Sequence, residues 1–579
     1  MNPGGEVMFR TRHLVSLGLL VVFFSGISVT VFAQDDNTVP DVDIRSATNI
    51  GDLGSSVPGP TSPTGTKRPP RVGPNVLANT SQAVNPGLLG RSETTIASSA
   101  DGSLILIGFN DAQGFCGPLF GVSCTPETPP GLSGFAFSTD SGLTFTDGGA
   151  PDPALFNNVF TRGDPWMGRG GVDNATFYYA NLAVDATTGA GLGVSVHRGH
   201  FNTTGFAFED VRTFNAPNPN DFYDKEAIAT AQDGSGAAYV SLTNFISTSP
   251  CGVNGGFGQI EVWRTHDAGD SWIGPTIASP DQTDVPCDGG GILQQSSAPA
   301  IGPNAEVYIA WQLGPHLGPT LPSAKIMVAR SLDGGVTFGP AVKVADINSM
   351  RLDPPVGYNR SRINDHPRIA VAVSGTRKGR VYVTFYSAAS PVSPAPVVPC
   401  PTGLPDGATC IGQNRVSSQA FVSFSDDKGQ TWSVPVPVAP APGSTGLKRW
   451  WPVVNVEPTG NLDVVYYESQ ETATDAAGNP LPQCIKRLSR VPLVFRVGPA
   501  NSLVNTIWAQ SLDGGLTFPT RLQMSTATSN WCPTVSNVTP NFGDYIGATA
   551  GGNRILGTWA DGRNGAPDTF FAAGLGSGK

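Results

Sequence analysis

The chain has 579 residues, with 71 glycines, 51 prolines and only 14% charged side chains. That composition fits a turn-rich all-β protein and a single large repeat fold. The net charge of −10 argues against nucleic acid or an anionic membrane surface as partner.

Arg10, Arg12 and His13 precede an apolar run from Leu14 to Phe32, and Val31 and Ala33 form a small-residue cleavage pattern before Gln34. This is the layout of a secretory signal peptide over residues 1–33. A membrane anchor is the competing reading, because the run approaches the length that spans a bilayer. Met8 is a second candidate start. Residues 34–72 are rich in Pro, Gly, Ser, Thr and Asp without a hydrophobic period, and read as a flexible linker. Residues 73–579 are then one β domain, secreted or periplasmic, monomeric, with no membrane contact once the signal is cleaved.

A short apolar stretch, Pro74–Thr80, comes first and has no partner nearby in sequence. Seven strand–turn–strand units follow, beginning at Glu93, Pro165, Glu226, Ala298, His366, Trp451 and Tyr545. The first six are each followed by a third and a fourth strand. The seventh is followed only by Asp568–Gly574. A missing strand at one end and an orphan at the other predict a ring closed by Pro74–Thr80, which would remove exposed sheet edges. The expected fold is a seven-bladed β-propeller with four antiparallel strands per blade, with six blades as the alternative.

Between third and fourth strands lies an eight-residue pattern, S-x-D-x-G-x-T-(F/W). It occurs at Ser138–Phe145, Thr265–Trp272, Ser331–Phe338, Ser425–Trp432 and Ser511–Phe518, with aspartates Asp140, Asp267, Asp333, Asp427 and Asp513. The Asp is expected to accept from backbone two residues on, the Gly to supply positive φ, and the aromatic residue to wedge between sheets. The gaps are 127, 66, 94 and 86 residues; the first spans two repeats. A decayed copy is expected near Thr203, where Gly205 and Phe208 keep the offset.

These copies resemble the Asp-box, or BNR, repeat of sialidases and related β-propellers, over the chain from about Arg91 onward. The resemblance implies a propeller and, less directly, a glycan partner or glycoprotein substrate. Sialidases have six blades, use three arginines on a carboxylate, and employ a Tyr nucleophile with Glu and an Asp acid/base. Their Arg-Ile-Pro signature is absent; the nearest string is Pro367–Ala370, so no arginine matches the triad by position.

The long segments Asp111–Gly134, Asn244–Gly258, Ser387–Ser418 and Ser469–Ala500 all connect second to third strands, and with the crossings between units they hold all eight cysteines. The simplest pairing is Cys116–Cys124, Cys251–Cys287, Cys400–Cys410 and Cys484–Cys532, as suits an oxidising compartment. No spacing resembles a zinc site. No Asp-x-Asp-x-Asp loop marks calcium, so no cofactor is expected.

The residues entering the innermost strands are charged in a chain with few charges. Asp544, Tyr545, Glu226 and Asp365 are the candidate catalytic groups. Arg162, Lys225, His366, Arg368, Arg449, Trp450 and Arg563 are the candidate ligand-binding ones. Packed together they would shift each other's pKa values and hold a polar ligand; a salt-bridged collar that closes the ring is the bland reading. Two functions remain open: a sialidase-like glycosidase, and a non-catalytic propeller that binds a glycan or a protein.

Overall fold

Strands form where short apolar runs meet turn residues, and the second strand of each unit is the most continuous run. Ile105–Asp111 is buried along its whole length, and Val381–Ala388 nearly so, because other sheets cover both of their faces. The computed structural model describes residues 69–576 apart from 81–86, 118, 122, 126–128, 248–257, 280–291, 316–323, 443–445, 476, 491 and 500. The expected signal peptide, most of the expected linker and the Cys251–Cys287 pair lie outside the described residues.

The protein is all-β. Among the described residues the one helical element is a 3-10 turn at Ala112–Gly114, and no helix is long and apolar enough to cross a membrane. The first sheet runs Arg91–Ser98, Ile105–Asp111, Ser133–Ser138, Thr146–Gly149, and the pattern recurs. The innermost strands of the next six sheets are Trp166–Arg169, Phe222–Thr230, Ile292–Ile301, Arg368–Val371, Leu447–Val456 and Gly547–Gly551. Each innermost strand packs against the next, and Gly547–Gly551 packs against Arg91–Ser98, so the contacts form a cycle. In the seventh sheet the outer position is taken by Arg71–Val72 and Val76–Leu77, which pair antiparallel with Asp568–Leu575. That pairing begins inside the stretch read as linker.

All five repeated turns sit between a third and a fourth strand. In the first, Ser138 Oγ donates to Asp140 at 2.8 Å and accepts from Gly142 N at 2.9 Å, while Asp140 accepts from Leu143 N and Thr144 N at 3.0 Å and Thr144 Oγ1 at 2.6 Å. The aspartate thus reaches three and four residues ahead, not two. Gly142 has φ of 83°, and a Cβ there would meet the Phe571 ring at 2.3 Å, so the glycine is demanded twice over. Phe145 packs on Phe571 of the seventh sheet, centroids 5.1 Å apart, which is the expected wedge. The copy near Thr203 departs: Asn202 pairs directly with Gly205 in a tight hairpin, and Asn202 Oδ1 accepts from Thr204 N at 2.8 Å.

Two long insertions build a sheet that the sequence did not suggest. Val397–Val398, Thr409–Ile411, Leu493–Gly498 and Cys484–Arg490 lie side by side, with Thr409–Ile411 parallel to Leu493–Gly498. Cys116–Cys124, Cys400–Cys410 and Cys484–Cys532 are bonded. The last pair ties this extra sheet to the segment before the seventh unit.

Candidate functional site at the centre of the cycle

Every innermost strand enters its sheet alike. Two residues before the ladder pairing that then runs unbroken to the strand's end stand Glu93, Asp164, Lys225, Ser296, His366, Trp451 and Tyr545, one per sheet. Glu93, Asp164, Lys225, Ser296 and Trp451 are left-handed, with φ of 54°, 56°, 54°, 67° and 49°. Such backbones cost about 1–3 kcal/mol each and persist only where the surroundings impose them. In four of these strands a register shift marks the place, as between Asp224 and Ala227, the signature of a bulge that re-aims a side chain.

The re-aimed side chains meet. Lys225 Nζ lies 2.8 Å from Asp164, 3.1 Å from Asp544 and 3.6 Å from Glu93, and all four groups are buried. Asp544 also pairs with Arg360, accepts from Asn364 Nδ2 at 3.0 Å, and lies 3.1 Å from Tyr358 Oη. Burial alone would push its carboxyl up, but Arg360 and Lys225 outweigh this and hold it well below the usual range. Asp164 is likewise pulled down against its burial by Lys225. Glu93 and Glu226 go the other way: burial, opposed by Lys225, raises both well above the usual range. Among the described residues Glu226 has no hydrogen-bond partner for either carboxyl oxygen. Burial raises Asp224 to about 7, and its Oδ2 accepts from Gln295 at 3.1 Å.

A group of arginines adjoins the carboxylates. Arg351, Arg360 and Arg362 come from the connection between the fourth and fifth sheets. Burial, then repulsion from Arg351 and Arg360, pushes Arg362 well below its ordinary value, and its Nη2 has no hydrogen-bond partner among the described residues. Burial and Arg360 lower Arg351 to about 10. Only Arg360 of the three is ion-paired to a carboxylate among the described residues. Arg351, Arg360, Tyr358 and Asn364 were not anticipated. The available signal was four arginines, Arg351, Arg360, Arg362 and Arg368, within one short stretch of a chain poor in charge.

The structure gathers Lys225, Glu226, His366, Asp544, Tyr545 and Arg368 near one another, but several expected roles change. Tyr545 donates to Pro165 O at 2.9 Å, and burial with Glu93, Asp164 and Glu226 nearby raises its phenol well above the usual range. Asp365 faces Ser349, Met350 N and Gln312, not His366, and burial lifts it to about 6. It anchors the crossing. Trp450 is 1% exposed and packs on Tyr467 and Trp531, so it is core and offers no face to a sugar. Arg449 is engaged by Glu468, Gln419 and Pro440 O, and Arg563 by Asp561 and Asn75; neither reaches the cluster. Arg162 is exposed, two residues before Asp164. Among the described residues no group of three or more His, Cys, Asp or Glu is arranged to hold a metal ion.

No family model matches the chain, and no curated protein matches it. Solved structures give distant likenesses. An alpha-L-arabinanase of Penicillium chrysogenum complexed with arabinobiose has TM-score 0.38 at 12% identity, covering 69% of this chain and 94% of that one. A protein of unknown function from Dyadobacter fermentans has 0.39 at 14%, covering 87% and 99%. A Trypanosoma rangeli sialidase in complex with sialic acid has 0.38 at 10%, covering 69% and 55%. Likeness at this level assigns neither family nor activity.

Proposed function

We propose that this chain is a secreted, seven-bladed Asp-box propeller whose N-terminal strands close the last blade, and that it acts on an acidic glycan at the centre of the cycle. One observation carries the reading: Glu93, Asp164 and Asp544 stand around a single lysine, Lys225, next to Arg351 and Arg362, which pair with no carboxylate among the described residues. A guanidinium fork matches a planar carboxylate, so Arg362, with Arg351 beside it, takes the acid group of the sugar. Environments that push neighbouring carboxyls apart divide acid from base. Glu226 then serves as proton donor and Asp544 stays ionised to face the developing positive charge. The disulfides and the signal-like N-terminus support secretion.

The second reading, a binding propeller without turnover, rests on burial: Asp544 is fully covered at 0% exposure and Glu226 at 2%. A screen of the purified protein against sialosides, uronate-bearing glycans and neutral polysaccharides separates the two. The hydrolase reading expects products from an acidic glycan, lost in Glu226→Gln with binding kept, and binding lost in Arg362→Ala. Binding without products favours the second. A collar that merely seals the ring would bind none, and Arg362→Ala would then change nothing.

A further inference from the structure

The innermost strands also enclose a cavity of about 170 Å³, lined by Thr94–Ile96, Trp166, Arg368, Val453–Asn455 and Tyr545–Ala548. It begins beside the charge cluster, at Tyr545 and Arg368, and continues along those strands. A water needs only about 10–15 Å³ by such a measure, so a small organic ion fits.

Arg368 is the unusual lining residue. It is 6% exposed, and its guanidinium sits 4.3 Å over the Trp166 ring and 5.2 Å over the Tyr545 ring. Among the described residues its one side-chain hydrogen bond is Nη1 to Pro367 O at 3.3 Å, and no carboxylate pairs with it. The aromatic faces attract the cation but leave most of its N–H groups unmet. Buried charge is expensive unless paired. Asn455 lines the same space, and its Nδ2 is buried without a hydrogen-bond partner among the described residues. Burial correspondingly lowers the Arg368 guanidinium to about 10.

We propose that this cavity is a binding site for a small carboxylate, held by the Arg368 fork between Trp166 and Tyr545 and by the Asn455 amide. The planar, bidentate donor set favours a carboxylate over a spherical halide. The site uses Arg368, where the hydrolase reading uses Arg351 and Arg362.

Crystals of the full protein soaked in acetate, and separately in bromide for its anomalous signal, test this directly. Acetate density in contact with Arg368 is expected, with bromide weaker at the same place. In solution, acetate at tens of millimolar should raise Tm over a perchlorate-free, ionic-strength-matched control by about 2 °C. Arg368→Met should abolish that rise, and Asn455→Asp should weaken acetate binding by about tenfold or more through like-charge repulsion. If Arg368→Met does not fold, Arg368→Lys keeps the charge without the fork and should retain under half of the shift. An empty cavity in the acetate soak, or a shift that survives loss of the Arg368 fork, overturns the proposal. Glycan binding through Arg362 should be unchanged in Asn455→Asp, so failure of one site does not decide the other.

Discussion

Asp427 in a repeated turn and Asp224 at the centre are the same residue type under opposite rule. Thr431 and Ser425 donate to Asp427 and hold it ionised down to about pH 2, whereas burial keeps a proton on Asp224 up to about pH 7. The first carboxylate is satisfied by groups within four residues of it. The second depends on Lys225 beside it and on Gln295 from the neighbouring sheet. Local satisfaction makes a rigid, repeatable corner that can be copied along a chain. Satisfaction across sheets makes a site whose members cannot be altered singly without unbalancing the rest.

The comparison breaks most visibly at Lys225. Lys225→Met would leave Asp164 and Asp544 buried with less counter-charge, and a broken buried pair costs about 3–5 kcal/mol; denaturant melts should show it, and a loss below 1 kcal/mol would mean the cluster is wetter than it looks. A smaller effect lies in pH. Asp224 has a folded pKa above its unfolded one, so between about pH 4 and pH 7 the folded chain keeps a proton that the unfolded chain has released. Its contribution to stability therefore declines as pH rises through that window. Asp224→Asn should flatten that part of a Tm-against-pH curve, and an unchanged slope would remove Asp224 as the cause. Smallest is the turn: Asp427→Ala should cost about 1–2 kcal/mol, with little change in the pH slope above pH 4, since the lost carboxylate is already ionised there.

The same contrast governs what could be read from the sequence. Each turn is written in eight consecutive residues, so the turns, the strands that flank them and the order of the sheets were legible. Asp164, Lys225, His366 and Tyr545 were legible too, because they stand at a fixed offset from strands that can be recognised. Arg360 and Tyr358 were not. They lie in a connection without hydrophobic period and reach Asp544 only through tertiary packing. Trp451, not Trp450, holds the entry position, because the bulge inserts a residue and one extra residue exchanges the faces of a strand; both indoles are buried in the core. The fourfold insertion sheet was hidden because Val397–Val398 and Thr409–Ile411 are too short to show a period.

The seven entry positions hold Glu, Asp, Lys, Ser, His, Trp and Tyr, no type used twice. Five of these seats have a left-handed backbone, so the main chain decides where a side chain enters the interior, and the neighbours it meets there decide which side chain can stay.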